Sequence, residues 1–226
     1  KAVERIIRAF NNNEKIAIYA DFDLDGTPGL ALLKKGLEQL GFKDILYYQP
    51  KRLSEGYGVH SHAIDSLLGQ GVQLIITVDV GITAIESVKY ANLKGIDVII
   101  TDHHLPKEEL PPAYAIVNPN KNECESNLGH LAGTGVAFYL ILALRTEMKK
   151  LGLLKTDMNP KELLDCFAIG TLTDLVPMIN ENRSLVKHGL HVLKNTKRPG
   201  IKALLRAVDL EDKNILSEDI SFKIAP

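Results

Sequence analysis

The stretch IAIYADFDLDG, residues 16–26, climbs through five strand-like residues and then sets Asp21, Asp23 and Asp25 on alternate positions. Three carboxylates so close repel one another, so the arrangement needs a cation or strong local donors. An EF-hand calcium loop begins D-x-D-x-D-G, follows a helix and carries a bidentate Glu at its twelfth position. Here the twelfth position is Leu32 and the preceding segment is β-rich, so that reading fails. The acids belong instead at the end of a strand.

The same texture recurs downstream. KIAIYA, DILYYQ, QLIITV, DVIITD and AYAIVN read as strands, and residues 30–40, 64–68 and 82–93 between them carry apolar residues at helical spacing. Several strands are continuous apolar runs, as expected of a sheet covered on both faces. Strand alternating with helix through residue 117 predicts an α/β fold with a parallel sheet flanked by helices. Pro28 suits the first turn of its helix and Gly41 the stop after Leu40. From Leu131 the chain becomes mainly helical: LAGTGVAFYLILAL, KELLDCFAIGTLTDLV and ENRSLVKHGLHVLK read as packed helices, the first deeply buried. GTGVAF follows no strand and lacks a P-loop lysine, so it reads as a close helix–helix contact.

The 226 residues, 45% hydrophobic and 24% charged, have ordinary globular composition and can bury a full core. No apolar run approaches the roughly 18 residues of a membrane span. Cys124 and Cys166 lie far apart with no C-x-x-C, which suggests neither zinc nor a disulfide framework. Lys+Arg 27 against Asp+Glu 28 leaves a net charge of −1. No overall basic field recruits a polyanion, so any nucleic-acid substrate must be attracted by local groups, metal ions or a further domain.

In open parallel sheets, ligands bind beyond the carboxyl ends of the strands. The first strand ends on Asp21, Asp23 and Asp25, LIITVDVG on Asp79, and VIITDHH on Asp102, His103 and His104. One such aspartate is ordinarily a turn residue or helix cap. Three strand ends loaded with ligand-type side chains point to a metal site. Carboxylate and imidazole without thiolate suit Mn²⁺ or Mg²⁺. The donors exceed the needs of one ion; two ions about 3.5–4 Å apart, sharing an Asp, use them better and clamp a phosphate for in-line attack.

DFDLDG, ITVDVGI, TDHH, AIVNPN, LAGTGVAFYL, GTLTDLVPMINENR and RPGIKALL are similar, in that order, to the motifs of the DHH phosphoesterases. Within that family the chain most resembles the single-strand-specific 5′→3′ DNA exonucleases, and KRLSEGYGV resembles a segment that packs beside their active site. The resemblance covers nearly the whole chain. It implies a DHH catalytic domain and cytoplasmic, metal-dependent hydrolysis of single-stranded DNA in repair and recombination. It also implies that Asp25, Asp79, His103 and Asp174 ligate one ion and that Asp23 and Asp79 ligate the second, with Asp21 a direct or supporting ligand. His104 would serve the leaving oxygen as proton donor or charge stabiliser, Asp102 would orient the histidines, and Arg183 would contact phosphate. Asp174 comes from the resemblance alone, because it sits in a helical stretch.

The resemblance further implies a catalytic domain over 1–196 and a helical connection over 197–226, leading toward a substrate-binding domain that this chain does not contain. The ending ISFKIAP, without a polar tail, fits that expectation. TPGLALL departs from the family by lacking a hydroxyl near Gly29. Tyr19 stands where relatives acting on small phosphodiesters often carry His, which favours a DNA exonuclease over the two rivals: an oligoribonucleotide or cyclic-dinucleotide phosphodiesterase, and an inactive DHH-fold binding module.

Overall fold

The computed structural model describes residues 1–226. Five strands, β1 (Lys15–Ala20), β2 (Leu46–Tyr48), β3 (Val72–Val78), β4 (Asp97–Thr101) and β5 (Ala115–Val117), form one sheet in the order β2-β1-β3-β4-β5, with every pair parallel. Side chains alternate across the sheet. Ile16, Ile18 and Ala20 of β1 join the larger core with Leu74, Ile76 and Val78 of β3, while Ala17 and Tyr19 join a smaller one with Ile75, Val98 and Ile100.

The smaller core is closed by α3 (Ser61–Gly69) and α4 (Ile85–Leu93). The larger lies under α1 (Ala2–Asn12), α2 (Gly26–Gln39), α5 (Gly133–Lys150), α6 (Leu164–Thr173) and α7 (Asn180–Lys194). The parallel α/β expectation therefore holds. Residues 164–172 are buried on every side, as suits a helix surrounded by other helices. Beyond 196 come α8 (Pro199–Ala207) and a helical turn over 217–224, and Leu205, Leu210, Ile215, Ile220 and Ile224 join the larger core.

Element boundaries differ from the periodicity in two informative places. The helix expected over 82–93 starts only at Ile85, because Gly81 (φ +116) opens a turn closed by Ala84 N–H donating to the Gly81 carbonyl at 2.9 Å. Conversely, α2 starts at Gly26, before the apolar pattern begins, because the Asp23 carboxylate accepts the N–H groups of Asp25 (2.8 Å) and Gly26 (2.9 Å) and caps it. Its far end stops as expected: Gly41 is left-handed (φ +98), and the N–H groups of Gly41 and Phe42 donate to the carbonyls of Glu38 and Leu37.

Phe167 is fully buried in α6 and meets Phe138 edge-on at 5.4 Å between ring centroids. Phe167→Ala is expected to cost about 3–5 kcal/mol, read as a lowered midpoint in urea denaturation.

Candidate metal centre

The strand order places the site. In a 2-1-3-4-5 sheet the connections leave β1 and β3 in opposite directions, and a crevice opens beyond their carboxyl ends. The ladder runs on past each strand: Asp21 N–H donates to Val78 O (3.2 Å), Asp79 N–H to Thr101 O (3.0 Å) and Asp102 N–H to Val117 O (3.2 Å). Register alone therefore sets Asp21, Asp79 and Asp102 in a row across three neighbouring strands. Asp79 adopts φ +61, a left-handed conformation uncommon for a non-glycine residue and concentrated at functional sites.

Asp25 is held from across the chain. Its carboxylate accepts the N–H groups of Gly133 (2.5 Å) and Thr134 (2.9 Å), and its carbonyl accepts the Thr134 hydroxyl (2.7 Å). The first turn of α5 thus offers its free N–H groups and the positive end of its dipole to a buried acid. A Cβ at Gly133 would lie 2.5 Å from the Asp79 Cβ, so only glycine lets the helix start this close. GTGVAF is the close helix–helix contact expected, since a Cβ on Gly170 of α6 would collide with Thr134 Oγ1, and it is also this seat for the Asp25 carboxylate. No signal in the sequence links it to a residue 108 positions away.

The histidine pair is fixed by its neighbours. Asp102, fully buried, accepts Ile82 N–H at one oxygen (2.9 Å). Its other oxygen takes the N–H groups of His103 (2.8 Å) and His104 (3.1 Å) and the Nδ1 of His104 (2.7 Å). Behind them the asparagines of AIVNPN hold the backbone, Asn118 donating to the His104 carbonyl (2.9 Å) and Asn120 to that of His103 (2.5 Å). Over the site lies the segment around KRLSEGYGV. Tyr57 meets the His104 ring edge-on at 6.1 Å, and the Arg52 guanidinium stands over Phe22 at 5.7 Å.

Donor atoms of three trios lie within 4.8 Å of one another: Asp25, His103 and Asp174; Asp21, Asp23 and Asp79; and Asp79, His103 and His104. His103 Nε2 is 3.2 Å from Asp79 Oδ1, 3.5 Å from Asp174 Oδ2 and 3.8 Å from Asp25 Oδ2. Both His103 Nε2 and Asp79 Oδ1 are buried without a hydrogen-bond partner. Asp79 and Asp174 are also the two carboxylates of the set that accept no N–H group. Two orphaned donor atoms facing each other among acids fit a divalent cation, which would satisfy both.

Burial pushes the carboxyl pKa values of Asp25 and Asp79 upward, and neighbouring acids push Asp79 further. Burial likewise raises Asp21 and Asp174 to about 6. His104 is raised mainly by its hydrogen bond to Asp102.

The structure thus brings Asp21, Asp23, Asp25, Asp79, His103, His104 and Asp174 into one cluster, with Asp102 behind it. Arg183 is exposed in the first turn of α7 and makes no ion pair or side-chain hydrogen bond.

Residues 15–171 match the model of the DHH family, N-terminal domain. The chain belongs to the DHH family. Over its full length it is 42% identical to the single-stranded-DNA-specific exonuclease RecJ of Haemophilus influenzae and 42% identical to that of Escherichia coli, covering 40% of each. It is 41% identical to the Bacillus subtilis RecJ, covering 27% of it. The chain therefore spans less than half the length of these curated relatives. A crystal structure of exonuclease RecJ bound to manganese aligns with the whole chain at 34% identity and a TM-score of 0.83, covering 55% of that chain. The Mn²⁺ complex of Thermus thermophilus RecJ aligns at 31% identity and a TM-score of 0.79, covering 31%. This DHH domain shares their fold.

Asp21 and Asp174 keep a proton in the folded state between pH about 4 and 6, where the unfolded chain has lost it. The stability this gives is present at low pH and is lost as pH rises through the folded pKa. Metal-free protein is expected to show a falling contribution to Tm between pH 4 and 7, reduced in Asp174→Asn. Mn²⁺ is expected to raise Tm more at pH 7.5 than at pH 5, as measured by thermal denaturation with and without chelator.

Proposed function

We propose that this chain is the metal-bearing core of a cytoplasmic phosphodiesterase that degrades single-stranded DNA from its 5′ end in repair and recombination. The observation that carries the reading is the convergence of the Asp25–His103–Asp174 and Asp21–Asp23–Asp79 trios around the unpartnered His103 Nε2 and Asp79 Oδ1. The substrate class is supported by similarity, over the whole of this chain and 40% of theirs, to proteins named as single-stranded-DNA-specific exonucleases.

Asp25, His103 and Asp174 would hold one ion and Asp21, Asp23 and Asp79 the other, with Asp79 shared. Two Mn²⁺ or Mg²⁺ ions would supply positive charge to the phosphodiester and ease deprotonation of the attacking water. The protein's own contribution is positioning. Asp102 accepts a hydrogen bond from the Nδ1–H of His104, which leaves Nε2 of that half-exposed ring for the substrate. The same bond raises the His104 pKa, so the ring stays protonated nearer neutral pH and can pass a proton to the leaving oxygen. Arg183, exposed and unpaired, is free to meet a phosphate.

With a net charge of −1, the chain relies on its ions and on further domains to grip a polyanion. Tyr19 is fully buried, its hydroxyl donating to Gly58 O at 3.0 Å and accepting His60 N–H at 3.3 Å. It cannot take the place of the His found in relatives that cleave small phosphodiesters.

Asp79→Ala is expected to keep the circular-dichroism spectrum and to lose manganese-dependent hydrolysis of a 5′-phosphorylated single strand. The loss should exceed the 10–100-fold typical of a residue that only supports a ligand. Wild-type turnover in this variant would remove Asp79 from the mechanism, and faster cleavage of dinucleotides than of the strand would overturn the substrate class. His104→Ala should lower kcat about 10²–10⁴-fold with Mn²⁺ binding retained, which isothermal titration can check.

A further inference from the structure

Asn182, in the first turn of α7, is fully buried and belongs to none of the trios. Its Nδ2 donates to two carbonyls, that of His130 at 2.6 Å and that of Pro177 at 3.0 Å. Two acceptors facing one end of a carboxamide require the NH₂ group there. The other end, Oδ1, is buried with no partner. An apolar side chain would fill this space without burying an orphaned acceptor, so helix packing alone does not account for the residue.

Both carbonyls belong to segments that lead to the metal centre. Pro177 is three residues past Asp174, just beyond Leu175 in a left-handed turn (φ +57). His130 is three residues before Gly133, whose N–H, with that of Thr134, seats Asp25. A second contact reaches the same spot, His130 Nε2 standing 2.9 Å from Glu181 Oε2. The start of α7 thus grips His130 by both carbonyl and ring, and ties it to the loop that leaves Asp174.

We infer that Asn182, assisted by Glu181, is a positioning residue that sets the separation of Asp25 and Asp174. It thereby governs affinity at the ion position formed by Asp25, His103 and Asp174, without touching ion or substrate. The inference rests on the metal-centre reading above. The Asp21–Asp23–Asp79 position hangs on the ends of β1 and β3 and takes no support from α7, so the two positions respond differently. Residues that support metal ligands in this way typically change affinity about 10–100-fold.

The test is Mn²⁺ titration of metal-free protein, followed by the electron paramagnetic resonance of free Mn²⁺ and of the spin-coupled pair. Wild type is expected to bind two ions and show the coupled signal. Asn182→Ala is expected to keep the first ion and bind the second about 10–100-fold more weakly, the coupled signal appearing only at correspondingly higher Mn²⁺. Unchanged binding of both ions by folded Asn182→Ala overturns the inference, and so does an equal loss of both. Wild type that binds no Mn²⁺ overturns the metal-centre reading itself, a distinct result. Should Asn182→Ala fail to fold, Glu181→Ala decides at a side chain that is 41% exposed. Weakening confined to the second ion supports the inference, and unchanged affinities overturn it.

Discussion

Mutual repulsion of buried carboxylates is the constraint around which this molecule is arranged. Asp21, Asp25, Asp79 and Asp102 are each at most 5% exposed, with Asp23 and Asp174 beside them, and no lysine or arginine stands within ion-pair distance of any of the six. Backbone N–H groups do the work that basic side chains do elsewhere. Phe22 supplies Asp21, the start of α2 supplies Asp23, the start of α5 supplies Asp25, and Ile82 with the histidine backbone supplies Asp102. Asp79 and Asp174 receive none, and they are the acids nearest His103 Nε2. Neutral donors leave the cluster with net negative charge, which is what a cation site requires, whereas fixed ammonium or guanidinium groups would compete with the ion.

The strands and the acids at their ends could be read from the sequence because both depend on local pattern. A continuous apolar run marks a two-sided strand, and an acid straight after it lands at the carboxyl edge whatever the rest of the chain does. Asp23 and the start of α2 show the limit of that reading. The helix begins where a side-chain cap allows, four residues before the apolar spacing becomes visible. α4 shows the reverse, since Ile82 fits the helical spacing but its N–H is taken by Asp102. Asp174 lies at the end of a helix buried on all faces, where period carries no information, and only the motif resemblance singled it out. The roles of Gly133, Thr134, Asn118, Asn120 and Asn182 depend on partners brought together by the fold, so no local pattern announces them.

Carboxamides recur behind the cluster. Asn118 and Asn120 hold the carbonyls of the two histidines, and Asn182 holds those of His130 and Pro177. An amide can pin a backbone carbonyl without adding charge to a site whose charge must stay available for the metal. Aspartate in the same places would set an acceptor against an acceptor, and lysine would bring a rival cation.

Helices α2 and α5 both start on Asp25, one from the adjoining chain and the other through Gly133 and Thr134. They meet again farther along, where a Cβ on Gly36 would lie 2.8 Å from the Ile141 side chain. Two stiff rods joined at an apex and braced along their length form a truss. Such a frame passes a displacement at the brace to the apex with little loss, since close-packed interiors deform hardly at all. A methyl group added at Gly36 must therefore displace the Ile141 side chain or part the two helices, about 15 Å of helix from the carboxylate on which both begin.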